Sequence, residues 1–329
     1  MKNKIRLLIL AIILISSFIY LSKDKSLDTV SLRLKWYHNA QFAGIYSAIE
    51  YDFYRDHGLE VNFLERDLKA GQVSTEVASG KVDFGITNSI DVIKAVDEGK
   101  KIKAIGVIYQ KSPAAIASLK ESNILSPQDL AGKKLGIQQD TIEARIFYTT
   151  LLNKYEVDPS SVEFVLIKNG ITNALKTKEV DAVSTYRTNE VYNLKKSGLD
   201  FRIMRPEYYG FDLYDDVIIT SDELIKNNPE KVSKFIQATI DGWIWTFENE
   251  NGALEIISDY DHGDYDDISR EAFILESSKP LISWDSVSKN IGRMEEKKWE
   301  NLISNFYSSG IITKKLNTSD LYTDQFLKN

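Results

Sequence analysis

The stretch LRLKWYHNAQFAGIYSA, residues 32–48, holds a strand, its exit and the start of a helix. Leu32 and Leu34 alternate with Arg33 and Lys35 and extend the alternation of Val30 and Ser31, the period-two pattern of a strand. Trp36, Tyr37, His38 and Asn39 come next, a cluster of flat rings and polar groups that an apolar strand does not need at its exit. Gln41 to Tyr46 then begins a helix. A strand feeding a helix is the repeating unit of an α/β sheet, and ligands in open α/β sheets sit beyond the carboxyl ends of the strands. The cluster at 36–39 is therefore read as one wall of a pocket for a small, flat, polar molecule.

The same pattern continues downstream. The helix that starts at Gln41 is expected to run to Gly58, before an alternating strand in LEVNFLER (59–66), a short helix in GQVSTEVASGK (71–81) and an apolar strand in VDFGIT (82–87). SIDVIKAVDEGK (89–100) reads as a helix stopped by Gly99, and IKAIGVIYQ (102–110) as a strand. A second unit then begins with a strand in LAGKKLGIQQ (130–139) and a helix capped by Asp140 or Thr141. Strands in VEFVLIK (162–168) and DAVSTY (181–186) flank a helix in GITNALKTKEV (170–180). Past it lie one more strand, DDVIIT (215–220), and long helices.

These blocks predict an α/β protein of two lobes, each a mostly parallel sheet flanked by helices. Lobe 1 comprises 28–115 and 207–329, and lobe 2 is inserted at 116–206. The links are expected near QKSPAAIASLK (110–120) and RPEYYGFDLYDD (205–216). Two lobes joined by two crossings can hinge about a cleft.

Composition narrows the function. Among 329 residues, 43% are hydrophobic and 27% charged, values of a globular protein. The net charge of −7 argues against a nucleic-acid partner, because phosphate binding needs clustered positive charge. The chain has no cysteine, which removes disulfides, thiolate metal sites, cysteine nucleophiles and a lipid-anchoring cysteine. Residues 1–27 carry a basic start, MKNKIR, and an apolar run, LLILAIILISSFIYL, whose length of about 15 residues suits a signal-peptide core and is short for a membrane span. Ser17, Ser22 and Ser26 are the nearby small residues for a cleavage site. A cleaved signal and an uncleaved anchor both place the remainder outside the cytoplasmic membrane.

The strand exits WYHN (36–39), TNS (87–89), QQDT (138–141) and YRTNE (186–190) share a chemistry. Trp36, Tyr37 and Tyr186 offer flat faces, while Asn39, Asn88, Ser89, Gln139, Thr141, Asn189 and Glu190 offer hydrogen bonds. Stacking with a few fixed polar groups is how a site holds a small heteroaromatic molecule. Phe42 and Tyr46, spaced i and i+4, read as core that seals the first helix. His38, His57 and His262 are far apart and show no metal-ligand spacing. DYDHGDYDD (259–267) is acidic, but its glycine is misplaced for a calcium loop and Arg270 stands where the final carboxylate belongs. The sequence contains no Gly-x-Gly-x-x-Gly, Walker or Gly-x-Ser-x-Gly motif, and nothing nominates a nucleophile with its base.

LRLKWYHNAQFAGIYSAIEYDFYRDHGLEV (32–61) resembles the opening of the bacterial thiamine-pyrimidine-precursor-binding proteins and their synthase relatives. SGKVDFGITNSIDVIKA, GKKLGIQ, VDAVSTYRTNE and NPEKVSKFIQA are similar to the same family, so the resemblance covers nearly everything after residue 28. It implies a type II periplasmic-binding-protein fold, SsuA-like, with an ABC permease in the cytoplasmic membrane as partner. The synthase branch makes the pyrimidine from pyridoxal phosphate and histidine, using a lysine and a histidine in the stretch matched by GITNSID and an iron-binding cysteine run. Here Thr87 and Asp91 occupy those positions and GFDLY (210–214) stands in place of the cysteines. Schiff-base and thiolate–iron chemistry are therefore not written at the matched positions.

The expected function is an exported solute-binding protein of an ABC importer. It captures an aminopyrimidine thiamine precursor or a similar heterocycle by hinge closure, as a monomer and without a cofactor. Trp36, Tyr37 and Tyr186 would contact the ring. Glu190 and Asn39 would read ring nitrogens or an exocyclic amine. Asn88, Ser89 and Thr141 would hold a tail, which Asp91 and Asp140 favour as neutral. The alternatives are a synthase-type enzyme, with pyridoxal phosphate and iron, and an envelope sensor serving a membrane kinase.

Overall fold

The computed structural model describes residues 27–67, 71–139, 141–260, 268–283 and 291–327. The N-terminal apolar run, Asp140, His262 and most of the acidic run 259–267 lie outside the described residues. Among the described residues no helix is long and apolar enough to cross a membrane.

Ten strands form two five-stranded sheets. In chain order they are β1 (Asp28–Arg33), β2 (Leu59–Leu64), β3 (Phe84–Thr87), β4 (Ile102–Tyr109), β5 (Ala114–Leu119), β6 (Lys134–Ile137), β7 (Glu163–Leu166), β8 (Ala182–Tyr186), β9 (Phe201–Met204) and β10 (Asp215–Ser221). The first sheet has the order β2-β1-β3-β10-β4 and the second β7-β6-β8-β5-β9. One sheet is thus built from residues 28–109 and 215–221, and the other from 114–204, the intervening segment.

Each sheet is mostly parallel, as expected, with one strand of the five reversed. β1 runs parallel to β2 and β3, and β6 to β7 and β8. β10 runs antiparallel to β3 and β4, and β5 to β8 and β9. The reversed strands are the two that begin just after the chain passes from one sheet to the other. A chain that leaves one sheet at the carboxyl end of a strand enters the next sheet from that same side, so it must run down against its new neighbours. Residues 114–119, expected within a link, form β5, and β9 adds a strand that the periodicity did not reveal.

The first expected helix is also divided. A short turn at Ala40–Phe42 leads into α1 (Ala43–Glu50), and a separate turn comes at Phe53–Asp56 because Asp52 takes a left-handed conformation (φ +59°). Further helices are α2 (Val73–Ala78), α3 (Ser89–Asp97), α4 (Ile142–Lys154), α5 (Ile171–Lys176), α6 (Val191–Lys196), α7 (Pro229–Glu248), α8 (Glu250–Tyr260), α9 (Ile268–Ile282) and α10 (Glu296–Ser308). α7 crosses α1 closely: a Cβ on Gly44 would stand 2.2 Å from the Trp243 ring, and one on Gly242 would stand 2.2 Å from the Gly44 carbonyl. Phe42 and Tyr46 are buried beside this crossing in the core of the first lobe.

Both passages between the sheets are pinned. In α10, Trp299, Leu302, Ile303 and Phe306 recur at helical spacing and are buried. Trp299 meets Tyr214 at 5.4 Å and Phe306 meets Phe211 at 6.0 Å between ring centroids, which holds the return passage against the helix. α9 touches both lobes: Ile274 and Leu275 belong to the first lobe's core, while Phe273 packs on the second lobe and lies 5.6 Å from Tyr192 of α6.

Candidate functional site

The strand exits of both sheets converge on a cavity of about 410 Å³. Its wall includes Trp36 and Asn88 from the first lobe and Gln138, Gln139, Thr141, Tyr186, Asn189 and Glu190 from the second. Three expected residues fall outside this lining. Tyr37 is 42% exposed and lies outside the lining, although both Lys35 and Trp36 before it are within it. Asn39 is buried, and its Oδ1 accepts from Gln41 N at 2.7 Å to start the turn at 40–42, so it cannot read a ligand amine. Ser89 is buried and donates to the Tyr214 carbonyl at 2.9 Å. Each of these side chains serves the backbone nearby or faces solvent.

Several residues that sequence reasoning passed over shape the cavity more strongly. Arg33, Lys35, Arg66, Glu76 and Asp215 line it. Lys35 Nζ pairs with Asp215 and, at 2.7 Å, with Asp216. Asp215 Oδ2 also accepts from Tyr186 Oη at 3.0 Å and from Ser112 Oγ at 2.8 Å, while Gln41 Nε2 donates to Asp216 at 2.7 Å. This cluster therefore ties β1's exit, both passages and the second lobe at one point. The signal was present in the sequence: two acids open the apolar strand DDVIIT, and buried carboxylates require a cation.

Burial works against the Lys35 charge, yet Asp215 and Asp216 outweigh it and hold the ammonium well above its ordinary pKa. Burial pushes the Tyr186 phenol well up, and Asp215 adds to the shift, so the hydroxyl stays protonated and donates. Burial also raises Asp216, to about 6, with Lys35 opposing and Asp215 reinforcing. Thr87 and Asp91 form a closed unit, with Asp91 accepting from Thr87 Oγ1 at 2.7 Å and from Ser74 Oγ at 2.6 Å. Burial raises the Asp91 pKa despite those hydrogen bonds.

The wall is balanced against anions. Carboxylates of Asp67, Glu76, Asp91, Glu143, Glu190 and Asp215 face the cations Arg33, Lys35 and Arg66. Arg33 Nε is held by Glu76 at 2.8 Å, and Lys35 by its two aspartates. Arg66 donates to the Lys35 carbonyl at 3.1 Å and lies 5.5 Å from the Trp36 ring centroid. Glu190 accepts from Tyr186 N at 2.7 Å and from Gln138 Nε2 at 3.2 Å, which fixes the plane of its carboxylate. Within the same wall, Gln72 Nε2 of the first lobe donates to Glu143 of the second at 2.6 Å.

Among the described residues, no group of three or more His, Cys, Asp and Glu side chains is arranged to hold a metal. His38 Nδ1 lies 2.9 Å from Tyr46 Oη, and His57 Nε2 lies 3.4 Å from Asp241.

Two lobes, two passages and a walled cleft between strand exits are the architecture of the periplasmic-binding-protein fold. The chain belongs to the NMT1/THI5-like family, whose profile matches residues 39–253. It is 25% identical to the riboflavin-binding protein RibY of Chloroflexus aurantiacus, over 92% of this chain and 87% of that protein. It is 26% identical to the formylaminopyrimidine-binding protein of Halalkalibacterium halodurans, over 86% of each. The periplasmic aliphatic sulphonate binding protein SsuA of Escherichia coli superposes with a TM-score of 0.66 at 13% identity, covering 92% of this chain and 99% of that one.

Proposed function

We propose that this chain is an extracytoplasmic solute-binding protein that captures an uncharged, planar nitrogen heterocycle of the aminopyrimidine type. It would work as a monomer, without a cofactor, and deliver its ligand to an ABC permease. The observation that carries this reading is the wall itself: the rings of Trp36 and Tyr186 stand with the oriented Glu190 carboxylate around a cavity whose buried cations, Arg33 and Lys35, are already paired. The Glu190 carboxylate can accept from the exocyclic amine of such a ring, and flat rings supply stacking. A sulfonate would have to rely on Arg66, since the buried cations Arg33 and Lys35 are held by carboxylates. The names of the riboflavin-binding and formylaminopyrimidine-binding relatives support a heterocycle. The basic and apolar N-terminal segment supports export.

Lys35 bears on the alternative of synthase chemistry. A Schiff base needs a neutral amine, and two aspartates keep this amine protonated. That favours binding over catalysis.

A thermal-shift panel of formylaminopyrimidine, hydroxymethylpyrimidine, thiamine, riboflavin and taurine tests the reading. A ligand at a hundred times its Kd adds about 2.7 kcal/mol of stability. An aminopyrimidine should raise Tm, and the response should vanish in Trp36→Ala and Glu190→Ala. Stabilisation by taurine alone, or equal responses in parent and variants, would overturn it.

A further inference from the structure

Two amides in the cavity wall have spent their oxygens. Asn88 Oδ1 accepts from the N–H groups of Ile90 and Asp91, both at 3.0 Å, and so caps α3. Asn189 Oδ1 accepts from Arg270 at 2.5 Å. A guanidinium only donates, so the atom facing it must be the oxygen. Arg270 is itself held by Glu271 at 2.8 Å, and the other oxygen of Glu271 accepts from Ala40 N at 2.6 Å. Asn189, Arg270 and Glu271 are 9%, 6% and 1% exposed. Turning the Asn189 amide over would set donor against donor in a buried place, so its orientation is locked.

Both amides line the cavity, and neither Nδ2 has a hydrogen-bond partner among the described residues. Asn88 comes from the first lobe and Asn189 from the second. We propose that Asn88 and Asn189 are a pair of committed donors, one per lobe, and that the ligand which closes this cleft presents uncharged acceptor atoms, ring nitrogen or carbonyl oxygen, to both. Arg270 is the positioning residue that makes Asn189 a donor. It is the same residue whose identity excludes a calcium loop in the sequence. This specificity rests on the binding function proposed above and narrows it.

The physical content is differential. A ligand that meets only one donor gains no bond from the other when the cleft closes, whereas one that meets both favours the closed state by the second bond. A ligand presenting an amine at either position would leave buried donors unpaired, which is how a polar site rejects a near-isostere.

The test uses aspartate, which keeps the oxygen each amide has committed and removes the donor. In titration calorimetry of the full chain with formylaminopyrimidine and with riboflavin, Asn88→Asp and Asn189→Asp should each lose about tenfold or more in affinity for whichever ligand the parent binds. Their ligand-free Tm should stay at the parent value, since aspartate caps a helix as well as asparagine and pairs with Arg270. Arg270→Leu should weaken binding and Arg270→Lys, which retains a donor, should restore most of it. Aspartate variants that bind within about twofold of the parent, the scatter of uncoupled sites, would overturn this proposal and leave the binding function standing. A parent that binds neither heterocycle would overturn both.

Discussion

The exits of β1 and β8 face each other across the cleft, and they use similar residues differently. At the β8 exit, Tyr186, Asn189 and Glu190 all line the cavity. At the β1 exit only Lys35 and Trp36 do, while Tyr37 faces solvent and Asn39 turns inward to cap. The difference arises from how the chain turns beyond each strand. After β1 it must enter a buried helical turn at once, and Asn39 supplies the cap. After β8 the turn is closed by backbone bonds from Asn189 N and Glu190 N to the Tyr186 carbonyl, at 3.0 and 3.1 Å, and by Glu190 itself, which accepts from Tyr186 N at 2.7 Å and still lines the cavity. A polar residue that serves the backbone at a strand exit is thus lost to the cavity when it is buried, as Asn39 is, and not when it stays in the wall, as Asn88 and Glu190 do.

The largest expected effect comes from the point where the two exits are joined. Lys35→Met would leave Asp215 and Asp216 buried without their cation, and stability in urea should fall by about 3–5 kcal/mol. A loss under about 1 kcal/mol, the range of exposed pairs, would show that the cluster is solvated rather than a joint.

A second test separates the charges within that joint by pH. The Asp216 carboxyl titrates at about 6 in the folded protein against an ordinary 3.8, so between those values the folded chain binds the extra proton. Its contribution to stability is therefore complete below about 3.8 and is lost as pH rises through about 6. Asn is neutral at every pH and tolerates the φ of +44° found at this residue. Urea melts of Asp216→Asn and parent should show the variant gaining on the parent from pH 5 to pH 7.5. A difference independent of pH would place the titration elsewhere.

The smallest effects sharpen the contrast at the β1 exit. Asn39→Ala should cost about 1 kcal/mol of stability through its lost cap. Tyr37→Ala, on an exposed ring, should change stability by less than about 0.5 kcal/mol and leave ligand affinity at the parent value. A large loss of affinity in Tyr37→Ala would mean that the ring swings into the cleft when ligand is bound.

Most of the element order was legible, because apolar period and turn residues report burial directly. The strands that escaped are informative. β5 is AAIASL, built of small residues beside a proline, and it becomes a central strand only because β8 and β9 arrive on either side. Among the site residues, Trp36, Asn88, Gln139, Thr141, Tyr186 and Glu190 reach the cavity and Tyr37, Asn39 and Ser89 do not. Residue type indicates that a side chain can bond, and not which partner it meets first.

By itself the sequence determined most of the order of strands and helices and strand exits rich in rings and amides, since these come from local period and from the few residues that end strands and helices. Only the tertiary structure decided that β5 and β10 run against their neighbours, that Lys35 is neutralised by acids far along the chain, and that Arg270 turns Asn189 into a donor. Those outcomes depend on contacts between residues widely separated in sequence. A chain read one window at a time contains the partners but not the pairing.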